Sequence, residues 1–374
     1  MFLDAARQIL NDRFQSKSFY VSSPKFVEDL VDKWHVLFPG VTPHYAVKCN
    51  NNEILLQTLA KKGVNFDCAS GSEIRKILKI VEEPSRIIFA HTIKCPNDIL
   101  FAKEVGVNVS TFDSTYELDK MKLYHPECEM VLRIRCDDPN ATVQLGNKYG
   151  AQDDEVEPLL EYAMKLGIKV VGISFHVGSG SRNPDAFYKA IKAAKEAFET
   201  AKRVGYSPKL LDVGGGFHAD IDDEGELSTC ISEYINDGIK DFFSDEPDVK
   251  VVAEPGRFFA EHYSCLVTRV VGKRERDGLY EYFLNDSTYG GFSNVIFEKA
   301  TPVPTVIRAI PDDEEYHTSV IYGCTCDGVD VINPHVQLPE LHVDDWILFE
   351  SFGAYTSVLH TNFNGFGQFD TYYI

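Results

Sequence analysis

The sequence predicts a (β/α)8, or TIM, barrel accompanied by a smaller β-domain, and two observations lead to this fold class. Between residues 24 and 264, short apolar runs alternate regularly with segments of helical periodicity, which is the pattern of repeated βα units. Beyond residue 264, strand-like runs follow one another with turns between them. A doubly wound open sheet is the alternative, but such a sheet carries a glycine-rich turn after its first strand, and that turn is missing here.

Strands and helices of the barrel alternate without interruption. The run FYVSS comes first and precedes a helix that starts at Pro24, since proline is favoured in the first helical turn. Barrel strands are predicted at HYAVKCN, VNFDCAS, RIIFAH, VNVSTFDS, MVLRIRCD, KVVGISFHV, KLLDVGGGF and VKVVAEPGRFF. The helices between them are predicted at NEILLQTLAKKG, GSEIRKILKI, NDILFAKEVG, TYELDKMKLYH, EVEPLLEYAMKLG, PDAFYKAIKAAKEAFETAKRVG and ISEYINDGIKDFF.

The C-terminal region is predicted to form a β-domain that resembles a sandwich or a small barrel. Its strands are expected within LVTRVVGKRERDGLYEYFLND, PTVIRAI, HTSVIYGC, DWILFESFGAYTSV and FGQFDTYYI, without a strong helix. The N-terminal strand is expected to join this domain. The predicted division is therefore 24–264 for the barrel, and 1–23 together with 265–374 for the β-domain.

Charge and composition exclude several classes of partner. The net charge is −20 and the sequence pI is about 4.9, so the surface would repel nucleic acid and anionic membranes. No stretch has the ~20 apolar residues that cross a bilayer, and the first residues do not form a signal peptide. Nine cysteines without a CxxC pair indicate a reducing compartment. We expect a cytoplasmic protein without a metal site, because HExxH and His/Cys ligand spacings are also missing.

Reactive residues gather at the carboxyl ends of the predicted strands, where (β/α)8 barrels place their chemistry. Lys48 ends the apolar run YAVK. Desolvation and neighbouring cations can free the amine of such a lysine for Schiff-base formation, although an ion pair at the barrel rim is the alternative. The other strand-end residues are Asp67, Glu73, His91, Arg133, His176, Ser179, Gly214, Gly215, Gly216, Glu254 and Arg257.

Several of these residues together suggest a site for pyridoxal phosphate (PLP). The amides of the triple glycine could cradle a phosphate, with Ser179 adding a hydroxyl and Arg257 a charged fork; a tight turn is the alternative. Glu254 could keep a pyridine nitrogen protonated, which makes the ring an electron sink. His176 could lie flat on that ring, although a lone histidine is more often part of a core.

Eight motifs occur in the order of a known enzyme family: YAVKCN, FDCASGSEI, SFHVGSGS, DVGGGF, EPGRF, NDSTYGGF, CTCDGVD, and GAYT with FNGF. On these motifs the chain closely resembles the eukaryotic-type ornithine decarboxylases, and especially the short decarboxylases encoded by large algal viruses. These proteins are barrel-type, alanine-racemase-like PLP enzymes. The resemblance extends over nearly the whole chain.

This resemblance implies a role for each strand-end residue. Lys48 corresponds to the lysine that binds PLP as a Schiff base, Glu254 to the partner of the pyridine nitrogen, and His176 to the residue stacked on the ring. The implied phosphate ligands are Ser179, Gly214, Gly215, Gly216, Arg257 and Tyr355. The residues that match the lining of the cofactor pocket are Asp67, Glu73 and Arg133.

The resemblance also implies a head-to-tail homodimer in which each active site is completed by the other subunit. Cys326, Asp327 and Phe363 match residues donated across that interface. The implied reaction is the decarboxylation of a basic amino acid, as in polyamine biosynthesis. The expected catalytic residues are Lys48, His176, Glu254 and Cys326. We expect Cys326 to return a proton to Cα after CO2 has left.

L-Ornithine, which yields putrescine, is the substrate that the resemblance favours. A basic side chain needs an anion in the pocket, and the candidates are Asp286 and Asp327, with Tyr289 and Phe363 as further substrate contacts. Ornithine-directed relatives carry Asp in the segment matched to Asp286, whereas arginine-directed viral relatives carry Glu. A turn-forming role is the alternative for Asp286. Because the flanking residues look like the viral branch, L-arginine, and less plausibly L-lysine, stay open as substrates.

Three other functions fit the sequence less well. An amino-acid racemase on the same barrel would favour a cation rather than Glu254 opposite the pyridine nitrogen. A non-enzymatic inhibitor homologue would have lost cofactor residues, which are all present here. A diaminopimelate decarboxylase would differ in the segment that here reads CDGVD.

Overall fold

The computed structural model describes residues 1–219 and 226–374. Packing divides the chain into two compact units, one of residues 28–259 and one of residues 1–27 with 260–374. The boundaries predicted from the sequence fall at 23/24 and 264/265, a few residues outside this division. Within the described ranges, no helix has the length and apolar character needed to cross a membrane.

The strands alternate with helices until residue 264 and then follow one another directly. In chain order the strands are β1 (Phe19–Ser22), β2 (Val41–Ala46), β3 (Asn65–Cys68), β4 (Ile87–Phe89), β5 (Val109–Phe112), β6 (Glu129–Arg133), β7 (Lys169–Ser174), β8 (Leu210–Asp212), β9 (Lys250–Ala253), β10 (Ser264–Arg276), β11 (Leu279–Leu284), β12 (Pro304–Val306), β13 (Tyr316–Tyr322), β14 (Val331–Pro339), β15 (Trp346–Phe349) and β16 (Asp370–Tyr373).

The helices are concentrated in the first two thirds of the chain. They are α1 (Phe2–Asp12), α2 (Pro24–Leu37), α3 (Glu53–Lys61), α4 (Gly71–Ile77), α5 (Pro96–Val105), α6 (Thr115–Tyr124), α7 (Asp153–Leu166), α8 (Pro184–Val204), α9 (Glu226–Phe243), α10 (Arg257–Ala260) and α11 (Ser293–Phe297).

The unit of residues 28–259 is a closed parallel barrel. Each of the strands β2 to β9 pairs with the next in parallel, and β9 pairs back with β2. All eight strands lie where the sequence predicts them, so the predicted (β/α)8 fold is confirmed. Because the strands are parallel, their carboxyl ends meet at one rim, and that rim collects the strand-end residues.

Local sequence signals fix the ends of several barrel helices. The side chains of Asn52 and Ser70 accept hydrogen bonds from the first free amides of α3 and α4. The helices α5, α7 and α8 end at Gly106, Gly167 and Gly205, which adopt the left-handed conformation that glycine accepts without strain.

The second unit is built on one twisted sheet. Its strands lie in the order β12-β15-β10-β11-β13-β14, and β1 pairs with both β10 and β16. One apolar cluster includes Tyr282, Phe292 and Phe349, and a second cluster includes Phe19 and is covered by α1. The N-terminal strand thus joins this β-domain, as the sequence predicts.

Three elements of the β-domain were not predicted from the sequence. The amphipathic helix α1 precedes β1, the short helix α11 follows β11, and β14 covers a stretch that we did not assign to a strand. The segment DWILFESFGAYTSV is a strand only as far as Phe349. The sheet pairing stops there because the chain turns: Ser351 and Tyr355 have positive φ, and a Cβ on Gly353 would lie 1.8 Å from the carbonyl oxygen of Ala260.

Candidate active site

Lys48 lies just beyond the carboxyl end of β2 and contacts an acid at the end of β3. Its Nζ is 2.5 Å from Oδ2 of Asp67. The Asp67 side chain is fully buried, and within the described residues its Oδ1 has no hydrogen-bond partner. The predicted amine and the predicted acid are therefore neighbours, in an ion pair at the inner edge of the rim.

A second acid, Asp212, lies beside Glu254. Asp212 ends β8 and Glu254 follows β9. Burial is the main reason why the pKa of Glu254 lies well above its ordinary value, and the charges of Asp212 and Asp67 raise it further. Burial also raises the pKa of Asp212, whose carboxyl group hydrogen-bonds with Glu254 and accepts the amide hydrogen of Gly214 at 2.9 Å. The buried Asp212 and the partly buried Glu254 therefore form one acid pair.

The triple glycine packs tightly against the loop that follows β7. A Cβ on Gly214 would lie 2.1 Å from the carbonyl oxygen of Phe175, and a Cβ on Gly215 would lie 2.8 Å from Nε2 of His176. Gly214 and Gly216 also have φ values of +66° and +109°, which other residues rarely adopt. A side chain at Gly214 or Gly215 would therefore clash with the segment that carries His176.

His176 is held in one orientation and one charge state. Its Nδ1 accepts the amide hydrogen of Gly178 at 3.0 Å, which places the ring proton on Nε2. Burial, followed by the charges of Arg133 and Lys48, keeps the pKa of His176 well below its ordinary value. The imidazole is therefore neutral at pH 7.

Other strand-end residues line the same rim. Glu73 Oε2 accepts the amide hydrogen of Ala69 at 2.6 Å, and burial raises the pKa of Glu73. The guanidinium of Arg133 lies 5.2 Å from the centre of the Tyr149 ring, which also contacts His91. Ser179 pairs through its backbone with Val143, and Arg257 begins α10.

Four of the predicted residues come together in the β-domain. The Tyr289 hydroxyl donates a hydrogen bond to Asp327 at 2.5 Å, which lowers the pKa of Asp327. The Tyr289 ring lies 4.4 Å from the ring of Phe363. Cys326 is exposed, and its amide donates to Oδ1 of Asn364 at 3.0 Å. The loops that carry these residues thus form one polar and aromatic surface.

Asp330 connects the two loops beneath this surface. Its Oδ1 accepts the amide and hydroxyl hydrogens of Thr288 at 2.8 and 2.9 Å. Its Oδ2 accepts those of Thr325 at 3.0 and 2.6 Å. The buried Asp330 carboxylate therefore fixes the position of Tyr289 relative to Cys326 and Asp327.

Asp286 has a different environment from Asp327. It is 5 % exposed, and its Oδ1 accepts the amide hydrogens of Ser287 at 2.7 Å and Gly291 at 3.0 Å. Burial raises its pKa. These bonds favour the turn-forming alternative for Asp286. Tyr355, also in the β-domain, has a φ of +52°.

Sequence reasoning missed the roles of Asp212, Tyr149 and Asp330 in this arrangement. Asp212 precedes the triple glycine in the motif DVGGGF, and an acid at a strand end beside Glu254 was the signal that could have identified it. Tyr149 lies in a long loop, and no periodic pattern places it beside Arg133. Asp330 closes the motif CDGVD, but its partners Thr288 and Thr325 lie in different loops.

Residues 25–261 match the family of the pyridoxal-dependent decarboxylases, in its pyridoxal binding domain. The chain belongs to this family.

Three proteins similar to this pyridoxal-dependent decarboxylase are named as decarboxylases of ornithine, arginine or lysine. The chain is 42 % identical to the chloroplastic ornithine decarboxylase of Nicotiana glauca, over 97 % of this chain and 85 % of that protein. It is 67 % identical to the arginine decarboxylase of Paramecium bursaria Chlorella virus bound to agmatine, over all of both chains, with a TM-score of 0.97. It is 29 % identical to the lysine/ornithine decarboxylase of Vibrio vulnificus complexed with putrescine, over 100 % and 98 % of the two chains, with a TM-score of 0.90.

The barrel rim fits PLP, the cofactor of this pyridoxal-dependent decarboxylase. It offers a lysine amine for a Schiff base, and one oxygen of the buried Asp67 beside that amine has no hydrogen-bond partner in the part of the chain that the structure describes. The glycine loop approaches the segment of Phe175 and His176 too closely to accommodate a side chain, so it presents only backbone there. The Glu254 carboxyl is the acid that a pyridine nitrogen requires. The Lys48 amine, the Glu254 carboxyl and the glycine loop all lie at the carboxyl ends of the barrel strands.

Proposed function

We propose that this decarboxylase acts on a basic L-amino acid, with L-arginine as the preferred substrate and agmatine as the product. The observation that carries this proposal is the full-length similarity to the viral arginine decarboxylase. The ornithine decarboxylases are more distant, so L-ornithine, giving putrescine, is the second candidate.

The segment 285–298 contains two acids that are candidates to contact the substrate side chain. The preference for ornithine depends on Asp286, whose Oδ1 is engaged by the amides of its own turn. The other acid of the segment is Glu298, which ends α11 and is half-buried. We therefore assign the substrate-facing role to Glu298. The residue that the resemblance matches to the glutamate of arginine-directed relatives is Asp286, so the assignment of Glu298 is a proposal separate from that resemblance.

Residues of the barrel rim would hold the cofactor. When bound, PLP supplies an electron sink for the negative charge that remains at Cα after CO2 leaves. Lys48 would bind it covalently, and Asp67 keeps the amine oriented. The glycine loop, with Ser179 and Arg257, would hold the phosphate. Glu254 would serve the ring nitrogen, and the neutral ring of His176 can pack on an aromatic face without adding positive charge.

Residues of the β-domain would complete the reaction. Asp327, held by the Tyr289 hydroxyl, offers a carboxylate for a basic side chain. Cys326 would transfer its thiol proton to Cα, so that a C–H bond replaces the C–C bond lost with CO2. The thiolate would then recover a proton from solvent.

Relative rates on three substrates test the specificity. We expect kcat/KM to decrease in the order L-arginine, L-ornithine, L-lysine. Glu298→Asp should shift the arginine-to-ornithine ratio toward ornithine by about tenfold, because one methylene of reach is worth roughly 1–3 kcal/mol in such pockets. Asp286→Asn serves as the control, since it weakens the turn without changing the ratio. A wild-type preference for ornithine of tenfold or more would contradict the proposal.

Substitution of the proposed proton donor should change the product rather than stop CO2 release. In Cys326→Ala, we expect CO2 release to continue while part of the product becomes an aldehyde, because protonation then occurs away from Cα. The measurement is the ratio of amine to CO2 in single samples. Cys324→Ala is the matched control, as Cys324 lies two residues away and its thiol pKa is raised to about 12 by burial. An unchanged amine yield in Cys326→Ala would refute the donor role.

We further propose that the enzyme is a homodimer whose active sites combine residues of both subunits. Exposed apolar side chains in the β-domain support an interface there: Ile296, Phe297, Val329 and Phe363. Large apolar side chains grouped on a surface favour contact with a partner.

Mixed dimers test this arrangement. Lys48→Ala and Cys326→Ala subunits, each impaired alone, should recover about a quarter of the wild-type amine yield when unfolded and refolded together, because half of the dimers then carry one intact site. Sedimentation gives the mass of the assembly. A mixture whose amine yield does not exceed the mean of the two separately refolded variants would show that each subunit supplies its own complete site.

A further inference from the structure

Asp212 and Glu254 form a contact that requires a proton. They end neighbouring strands of the barrel, with Asp212 opposite Val252 in the pairing of β8 and β9. Asp212 is 1 % exposed, and its carboxyl group hydrogen-bonds with that of Glu254. Two ionised carboxylates are both acceptors and repel each other. The contact therefore holds a proton between the two groups.

The backbone holds this acid pair in place from both sides. Asp212 Oδ1 accepts the amide hydrogen of Gly214 at 2.9 Å, and the amide of Glu254 donates to the carbonyl oxygen of Gly214 at 2.6 Å. The first glycine of the phosphate loop is thus bonded to both acids. A change at Asp212 would reach the glycine loop and Glu254 together.

We propose that Asp212 is a positioning residue that stores a proton on Glu254, and that this proton passes to the ring nitrogen when PLP binds. Before binding, Glu254 donates its O–H to the Asp212 carboxylate. When PLP is bound, its ring nitrogen would hold this proton, so that an N–H bond would replace the O–H bond of Glu254 and Glu254 would be the carboxylate that accepts it. No proton from solvent is needed for this step. The inference concerns the cofactor and holds for any amino-acid substrate.

The charges around the pair are consistent with one stored proton. Burial is the main factor that raises the pKa of both acids, and the nearby Asp67 carboxylate adds to it. The charges of Lys48 and Arg133 act in the opposite direction on Glu254. His176, which contacts the glycine loop, is neutral. The net effect of these groups favours a protonated Glu254 in the cofactor-free protein.

The number of protons taken up with PLP tests the proposal. PLP is titrated calorimetrically into cofactor-free protein, above pH 6.5, in two buffers of different ionisation enthalpy. We expect Asp212→Asn to take up as much as one proton more per PLP than the wild type. In this variant, the asparagine side chain still accepts the amide hydrogen of Gly214 but donates a hydrogen bond to Glu254. Glu254 is therefore ionised before PLP binds. Protons released by Lys48 are common to both proteins and cancel in the difference.

The pH dependence of unfolding gives a second measurement without PLP. An acid with a raised pKa binds more protons when folded, so its contribution to the free energy of unfolding decreases as pH rises above the ordinary value of 4.5. The lowered pKa values of His176 and His91 act oppositely, but only below 6.5. Above pH 6.5, we therefore expect the stability of the wild type to fall with pH.

Variants test whether the Asp212–Glu254 pair causes this decrease in stability with pH. Glu254→Gln and Asp212→Asn should flatten it, and Asp138→Asn should leave it unchanged, because Asp138 is equally buried but bonds Ser181 instead. If Asp212→Asn does not fold, the pH dependence of Glu254→Gln alone tests the proposal. Glu254→Gln should fold, because its side-chain amide still donates a hydrogen bond to Asp212. Equal proton uptake in wild type and Asp212→Asn, or a slope that Glu254→Gln leaves intact, would overturn the proposal.

Discussion

Lys48→Ala is expected to give a folded protein that loses the near-visible absorbance of bound PLP on dialysis and has no measurable decarboxylase activity. The covalent bond to PLP requires a primary amine at the end of β2, and Lys48 is the amine placed there beside Asp67. The absorbance spectrum before and after dialysis measures retention, and CO2 release measures activity. Absorbance retained after thorough dialysis would remove Lys48 from this role.

Two further variants separate chemistry from stability. Lys48→Ala leaves the buried Asp67 carboxylate without its ion pair, which destabilises a fold. Lys48→Arg keeps a positive charge beside Asp67 but has no primary amine, so it should fold and still fail to retain PLP. Lys62→Ala is the matched control, because Lys62 also pairs with an aspartate, Asp32 at 2.6 Å, on the outer surface. It should retain both absorbance and activity.

Glu254→Gln is expected to retain PLP but to lower kcat by roughly 10²-fold or more, a loss typical of removing a charged group that stabilises the transition state. A glutamine can hydrogen-bond the ring nitrogen but does not keep it protonated, so the ring is a weaker electron sink. The comparison requires kcat at saturating substrate, with PLP content measured by absorbance.

Asp138→Asn provides the control for loss of a buried acid in the barrel. It removes the acceptor of the Ser181 hydroxyl at 2.7 Å, but Asp138 is not among the residues proposed to hold PLP or the substrate. Its kcat should stay close to that of the wild type once PLP content is matched. A Glu254→Gln enzyme that remained within threefold of the wild type would show that the acid is not needed opposite the ring nitrogen.

Much of the barrel could be predicted because each of its strands and helices is specified by residues within or next to that element. Each strand is a short apolar run, and each of several helices has a capping residue or a terminal glycine next to it, as with Ser70 and Gly205. The parallel topology then sends every strand end to one rim. This is why Lys48, Asp67 and Glu254 could be grouped from sequence alone.

The features that escaped prediction depend on contacts between distant segments. Asp212 matters because β9 brings Glu254 beside it, and Asp330 matters because two loops bring Thr288 and Thr325 to the same carboxylate. Asp286 illustrates the opposite problem. Its place in a motif suggested a ligand, whereas its hydrogen bonds are to its own turn. Its buried Oδ2 has no hydrogen-bond partner among the described residues, so the role of Asp286 in substrate binding stays a prediction.

The pairing of β1 imposes an order on folding during synthesis. This strand lies between β10 and β16, with Tyr20 opposite Leu266 and Phe19 opposite Asp370. All residues of the barrel leave the ribosome before either partner strand exists. All barrel strands are therefore made while the N-terminal strand still waits, with its apolar side chains exposed, for β10 and β16. Such late, long-range pairing is slow and exposes the chain to aggregation. Chaperone dependence during translation should accordingly be concentrated on the first two dozen residues.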